Sequence, residues 1–254
     1  MHRIDLCAHT NRWAYQHPCQ KLLLAGGTLL LSLLLPPLAT GPLILAGMVC
    51  LALLGARVPA GIYLRFLALG MAFALMGAIP LAFSVGWGRA GMELAFSATG
   101  AETALKVLFR AWAAMSCLLF LAMTTPLTAL VGELRRLKVP GAVIEVMQLI
   151  YRMLWLLTDV CEKVRVAQTA RLGYCGLRQS FRSTGMLAGS LFWRTMDRAQ
   201  RMENGLAARG YQGSLNVLVE NRPLSINGVV ITLAFQALLI VVSFILVEVF
   251  PCLK

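Results

Sequence analysis

The chain is 254 residues long, 59% hydrophobic and 13% charged, with a mean hydropathy of +0.74. Soluble domains carry about 25% charged residues, so this composition excludes an ordinary soluble fold and indicates an all-α, polytopic helical membrane protein. The net charge of +12 is assigned to cytoplasmic loops under the positive-inside rule and not to nucleic-acid binding, because no zinc-finger, RRM or KH pattern accompanies it.

In chain order, residues 1–20 form a polar, amphipathic N-terminal segment with Arg3, Asp5, Arg12 and Trp13. No signal peptide with a cleavage site is legible. The first predicted span is 22–38, ended by Pro36-Pro37, with Thr40-Gly41-Pro42 as the turn. Further spans are predicted over 43–54, 62–83 and 105–123, the third of these carrying Arg110 near one end. Between the last two lies a Gly-rich stretch, 85–103, containing Arg89, Glu93 and Glu102. A short amphipathic helix over 127–138 stops before Pro140-Gly141, and the last span is 226–250.

Loop charges alternate between positive and neutral along this order. That pattern predicts a cytoplasmic N-terminus, five spans and an external C-terminus. The predicted domains are a four-span region (1–125), a cytoplasmic helical domain (126–222) and a C-terminal transmembrane helix (223–254). The predicted location is the bacterial inner (cell) membrane.

Most of the charge is concentrated in the polar region. Residues 133–222 hold 14 of the 23 Lys/Arg and 7 of the 11 Asp/Glu. Val143, Met147, Ile150, Leu154, Leu157, Cys161 and Val164 recur three and four apart, which places them on one stripe of a helix. Glu145, Gln148, Arg152 and Asp159 interrupt 143–160, and a charge at mid-bilayer costs roughly 2.5–3.5 kcal/mol. A surface-lying helix is therefore expected there, not a sixth span. In the next helix Arg194, Arg198 and Arg201 share a face, and Asp197 can pair with Arg201 at i,i+4.

No catalytic or cofactor chemistry is legible. The chain lacks a P-loop, an H-E-x-x-H and a G-x-S-x-G. The seven cysteines are scattered, with no C-x-x-C, so neither a disulfide framework nor a zinc site is expected. The three histidines, His2, His9 and His17, lie before the first span beside Cys7 and Cys19. Their spacing fits no standard zinc site, and solvated side chains are expected. A resident metal, a catalytic residue and a bound cofactor are all expected to be absent.

Two helix ends stand out: Ala170-Arg171-Leu172-Gly173 and Ala208-Arg209-Gly210. One arginine in a last turn followed by glycine is an ordinary C-cap. A pair on adjacent cytoplasmic helices is less easily dismissed. With these motifs the chain resembles the transmembrane T component of energy-coupling-factor (ECF) transporters, and within it the cobalt-type Q subunit, CbiQ. The second Ala-Arg-Gly motif is intact, and the first has Leu172 between Arg171 and Gly173. Asn11-Arg12-Trp13, His17-Pro18, Lys21-Leu22, Thr124-Thr125-Pro126 and Leu134-Arg135-Arg136 extend the resemblance over nearly the whole chain.

The resemblance implies a non-catalytic coupling subunit of an ATP-driven importer. Two cytoplasmic ABC ATPase subunits would bind ATP and Mg. Arg171 and Arg209, with Ala170, Ala208, Gly173 and Gly210, would dock on them, the arginines meeting acidic groups. A guanidinium stays charged and can bind a carboxylate bidentately. ATPase closure would move a separate metal-binding membrane subunit. Cobalt is the expected substrate; a nickel or vitamin transporter of the same type, and the permease of an ordinary ABC importer, remain open from sequence.

Overall fold

The computed structural model describes residues 7–13, 15–88, 91–96, 98–134, 138–211 and 226–249. Arg3, Asp5, His2, Arg89, Arg135, Arg136 and the 212–225 stretch lie outside the described residues. The described elements are α1 (Pro18–Leu34), α2 (Pro37–Cys50), α3 (Ala60–Ala78), β1 (Phe83–Gly88), β2 (Gly91–Phe96), α4 (Ala98–Thr124), α5 (Leu127–Leu134), α6 (Gly141–Ala170), α7 (Leu177–Ala208) and α8 (Ile226–Val249). The described residues are all-α apart from one antiparallel hairpin, in which Phe83 pairs with Phe96 and Gly88 with Gly91. This hairpin occupies much of the stretch read from sequence as Gly-rich and irregular.

Two compact units divide the chain. One comprises residues 1–130 and 220–254, the other residues 131–219. In the first unit α4 is the central helix and packs against α1, α2 and α3, while α8 packs against α1 and α2. Tyr63, Phe120, Ile44, Met48 and Met123 are fully buried at its centre. Several hydroxyls there are satisfied close to home, as an apolar surround favours. Thr28 Oγ1 donates to Leu24 O at 2.8 Å, Ser116 Oγ to Ala113 O at 2.7 Å and Thr124 Oγ1 to Phe120 O at 2.7 Å.

Two sequence expectations change in this unit. Pro36 is the N-cap of α2 and Pro37 its first residue, so the chain reverses there and Thr40-Gly41-Pro42 lies inside the helix. A proline at the first helical position is favoured because its missing N–H would have had no partner. Gly41 sits where a Cβ would come within 2.7 Å of Phe109, so its bareness lets α2 and α4 approach. α2 then continues through a π-helical turn, Leu51–Gly55, and reaches span length.

The second change concerns the N-terminal segment. It reads from sequence as a polar, amphipathic segment with solvated histidines; His9 and Arg12 are exposed, but Asn11, His17, Gln20 and Lys21 are buried. Asn11 Nδ2 lies 3.0 Å from Met123 O and 3.3 Å from Thr124 O. Lys21 Nζ donates to Thr124 O at 2.8 Å. These donors satisfy carbonyls that the end of α4 leaves open, and the ammonium sits at the negative end of the helix dipole. His17 Nδ1 accepts from Cys19 N–H at 3.2 Å as the N-cap of α1, so it is not a solvated tail residue. Trp13 packs edge-on to Phe120 at 5.8 Å.

Among the described residues, five helical stretches are long and apolar enough to cross a membrane: Pro37–Gly55, Ala60–Ala82, Thr99–Thr124, Gly141–Ala170 and Ile226–Glu248. Pro18–Leu34 is apolar but shorter. The membership therefore differs from the sequence reading, which had five spans including the first helix and excluding 143–160. α6 is the least apolar of the five.

Candidate functional site

The second unit consists largely of two long helices, α6 of 30 residues and α7 of 32. They run antiparallel. Gln168 near the end of α6 meets Ser183 near the start of α7, and Glu145 near the start of α6 meets Tyr211 just past the end of α7.

Both helices end in the same hydrogen-bonded cap. Arg171 is the C-cap of α6 and Arg209 the C-cap of α7, with φ/ψ of −93/18° and −95/11°. At the first end Leu172 N–H donates to Thr169 O at 3.0 Å and Gly173 N–H to Gln168 O at 2.8 Å. At the second, Gly210 N–H donates to Ala207 O at 3.1 Å and Tyr211 N–H to Leu206 O at 3.0 Å. This is the Schellman arrangement, which requires a left-handed residue directly after the cap. Gly210 fills that position with φ 74°, and Leu172 fills it with φ 58°.

Leu172 is therefore no insertion between arginine and glycine. It occupies the site of Gly210, and Gly173 corresponds to Tyr211. Aligning the two ends on arginine reveals this; aligning them on glycine hides it. Ala170, Arg171, Ala208, Arg209 and Gly210 are all exposed, whereas Gly173 is buried. A Cβ on Gly173 would come within 2.8 Å of both Gln168 O and Ser183 Oγ. Gly173 thus serves close packing, and its place beside the arginine is taken by Leu172.

The supports of the two ends differ. Ser183 Oγ donates to Gly173 O at 2.7 Å, Gln168 Nε2 to Ser183 O at 3.0 Å and Tyr174 OH to Gln168 Oε1 at 2.8 Å. That network ties the Arg171 turn to the first turns of α7. At the other end Tyr211 OH donates to Glu145 Oε2 at 2.9 Å. This bond to a carboxylate raises the Tyr211 hydroxyl pKa above its ordinary value. Sequence reading missed Gln168, Ser183, Tyr174 and Glu145 as supports; the only hint was the tyrosine that follows each glycine.

The two arginine ends lie far apart. Arg209 closes a 32-residue helix whose opposite end adjoins the Arg171 turn, so α7 separates them by about 48 Å at 1.5 Å per residue. Between α6 and α7, beside Arg171, lies a groove of about 1110 Å³. Lys163, Arg171, Arg178, Arg182 and Arg194 line it, and no acidic residue does. On α7, Asp197 pairs with Arg201 at 2.8 Å. Among the described residues no group of three or more His, Cys, Asp or Glu is gathered as a metal site.

These features define a multi-pass helical membrane protein with a long polar helical pair ending in two exposed arginines. The family model "CbiQ: Cobalt transport protein" matches residues 10–220, and the chain belongs to that family. It is 35% identical over 233 residues to the cobalt transport protein CbiQ of Rhodobacter capsulatus, covering 91% of this chain and 93% of that one. It is 33% identical over 225 residues to CbiQ of Salmonella typhimurium, covering 84% and 99%. A putative fused cobalt transport protein, CbiMQ, of Methanocorpusculum labreanum is 31% identical over 188 residues, covering 70% of this chain and 31% of that protein.

Proposed function

We propose that this chain is the coupling subunit of an ATP-driven ECF-type importer for cobalt ions. It sits in the cell membrane with its second unit in the cytoplasm. Two ABC ATPase subunits, which hold ATP and Mg, dock on the Arg171 and Arg209 ends. Their closure pulls on α6 and α7, and the movement passes to a separate metal-binding membrane subunit. Domain limits of 1–125, 126–222 and 223–254 are part of this reading.

The observation that carries it is the pair of equivalently capped, exposed arginines about a helix length apart. One acceptor site cannot take both, whereas two copies of one ATPase can each take one. The Schellman cap leaves both arginines on a fixed turn with the guanidinium free to meet a carboxylate. The fused CbiMQ relative supports a membrane partner. The choice of cobalt is supported by the relatives, which are named cobalt transport proteins.

The test is the double variant Arg171→Glu/Arg209→Glu in the co-expressed complex. Like charges would then face across each contact, so the ATPases should be lost from pull-downs and metal uptake should stop, while the purified membrane protein keeps its helical content. Full assembly and uptake in this variant would rule the docking scheme out.

A further inference from the structure

The groove beside Arg171 is more than an accident of two crossing helices. Its α7 wall contains an i+4 row, Arg178, Arg182, Met186, Ser190 and Arg194, flanked by Gln179 and Ser183. Such a row forms one continuous ridge along a helix. The facing wall of α6 repeats the pattern with Lys163, Ala167 and Arg171. Cations therefore stand along both walls, with Met186 and Ala167 among the small and apolar groups between them. Among the described residues no carboxylate pairs with Lys163, Arg171, Arg178, Arg182 or Arg194. Just beyond the row, Asp197 is engaged by Arg201 and not by Arg194.

We propose that this groove receives an acidic, amphipathic helical segment of the ATPase subunit that docks on Arg171. The proposal rests on the docking role assigned to Arg171, and extends it from one arginine to a basic track. Its occupant is an extended polyanion with apolar residues. Arg178 and Arg194 are sixteen positions apart, about 24 Å along the helix, which suits a row of carboxylates and not the point charge of one phosphate. The volume exceeds the roughly 300–1,000 Å³ of small-molecule sites. Continuity with Arg171 favours protein over a lipid headgroup, because the same guanidinium lines the groove and ends the helix. The scheme makes the two docking ends unequal: one is a track and the other a single point.

The experiment uses the full complex co-expressed with its ATPase subunits and reconstituted in vesicles of phosphatidylcholine with or without phosphatidylglycerol. A photo-crosslinking amino acid replaces Met186. The expected adduct is an ATPase subunit, mapping to an acidic segment, with a yield that falls as salt rises. In the unlabelled complex, Lys163→Ala/Arg178→Ala/Arg182→Ala should weaken ATPase retention about tenfold, the order expected when three partly screened ion pairs are lost. Adducts with phospholipid alone, or only with another membrane subunit, would overturn the proposal, as would unchanged retention in the triple variant. Arg171→Glu is the control that separates the two claims. If it releases the ATPase while the Met186 probe finds no ATPase, the groove assignment fails and tip docking stands; if it releases nothing, the docking role itself fails.

Discussion

At the scale of single residues, the two arginine ends show what sequence can and cannot reveal. The arginines were legible because a cation in a last turn before glycine is a recognisable chain stop. The role of Leu172 was not, because a left-handed leucine leaves no trace in periodicity. Its φ of 58° costs roughly 1–2 kcal/mol relative to a right-handed conformation. Leu172→Gly should stabilise the first end by roughly 1 kcal/mol, and Gly210→Ala should destabilise the second by a similar amount. Amide hydrogen exchange in the detergent-solubilised protein should slow around 171–176 in the first variant and quicken around 209–211 in the second. Gly173→Ala should be the most harmful of the three, since its Cβ meets Gln168 O and Ser183 Oγ at 2.8 Å. If Gly173→Ala proves neutral, the buttress drawn from Ser183, Gln168 and Tyr174 is not what orders the turn.

At the scale of elements, apolar runs marked most of the helices, but they gave no sign of the polar side chains that the N-terminal segment buries. A composition rich in Asn, His, Gln and Lys reads as surface. Here Asn11, His17, Gln20 and Lys21 are buried, while His9, Arg12 and Tyr15 stay exposed, because α4 ends among apolar helices and its last carbonyls need donors that solvent does not supply. Lys21→Met removes the 2.8 Å donor of Thr124 O and leaves it only the longer contact with Asn11 Nδ2 at 3.3 Å, at a cost of about 1 kcal/mol. The melting temperature of the purified protein should drop clearly, and an unaltered melt would mean that Lys21 does not hold α4. α6 poses the opposite problem. It has the length and apolarity of a span, yet carries Glu145, Arg152 and Asp159, each costly at mid-bilayer. A cytoplasmic, surface-lying α6 predicts that single cysteines at Gln148 and Asp159, in a cysteine-free background, are labelled only from the cytoplasmic side. Labelling of either from outside would make α6 a span.

At the scale of the whole molecule, the second unit has little interior of its own. Among its described residues only Val131, Ile144, Gly173 and Ser183 are buried, while Leu177, Phe181, Phe192 and Trp193 are highly exposed. Helices so thinly covered are what a subunit presents when other surfaces complete it, in keeping with the assembly proposed above. If the cargo is captured by another subunit, the histidines of this chain are dispensable for it. His2→Ala/His9→Ala/His17→Ala should keep metal uptake when the partner subunits are present, the loss of the His17 cap costing about 1 kcal/mol. Loss of uptake in a triple variant that still assembles would place the cargo site on this chain.

The first and last described membrane-unit helices are partners. Gln236 Nε2 donates to Leu23 O at 2.9 Å across 213 positions, and a Cβ on Gly27 would collide with the Gln236 amide. During synthesis α1 must therefore wait for α8. At about 5–20 residues per second, the first helix spends roughly 10–40 seconds without its closing neighbour. The entire polar pair, α6 and α7, is made in that interval. Premature termination after α7 would leave a chain with both arginine ends but an unfinished membrane unit. Such a product should be cleared by membrane proteolysis before it can engage the partners proposed above, which pulse-chase comparison of the full chain with one ending at residue 220 would reveal as a shortened half-life.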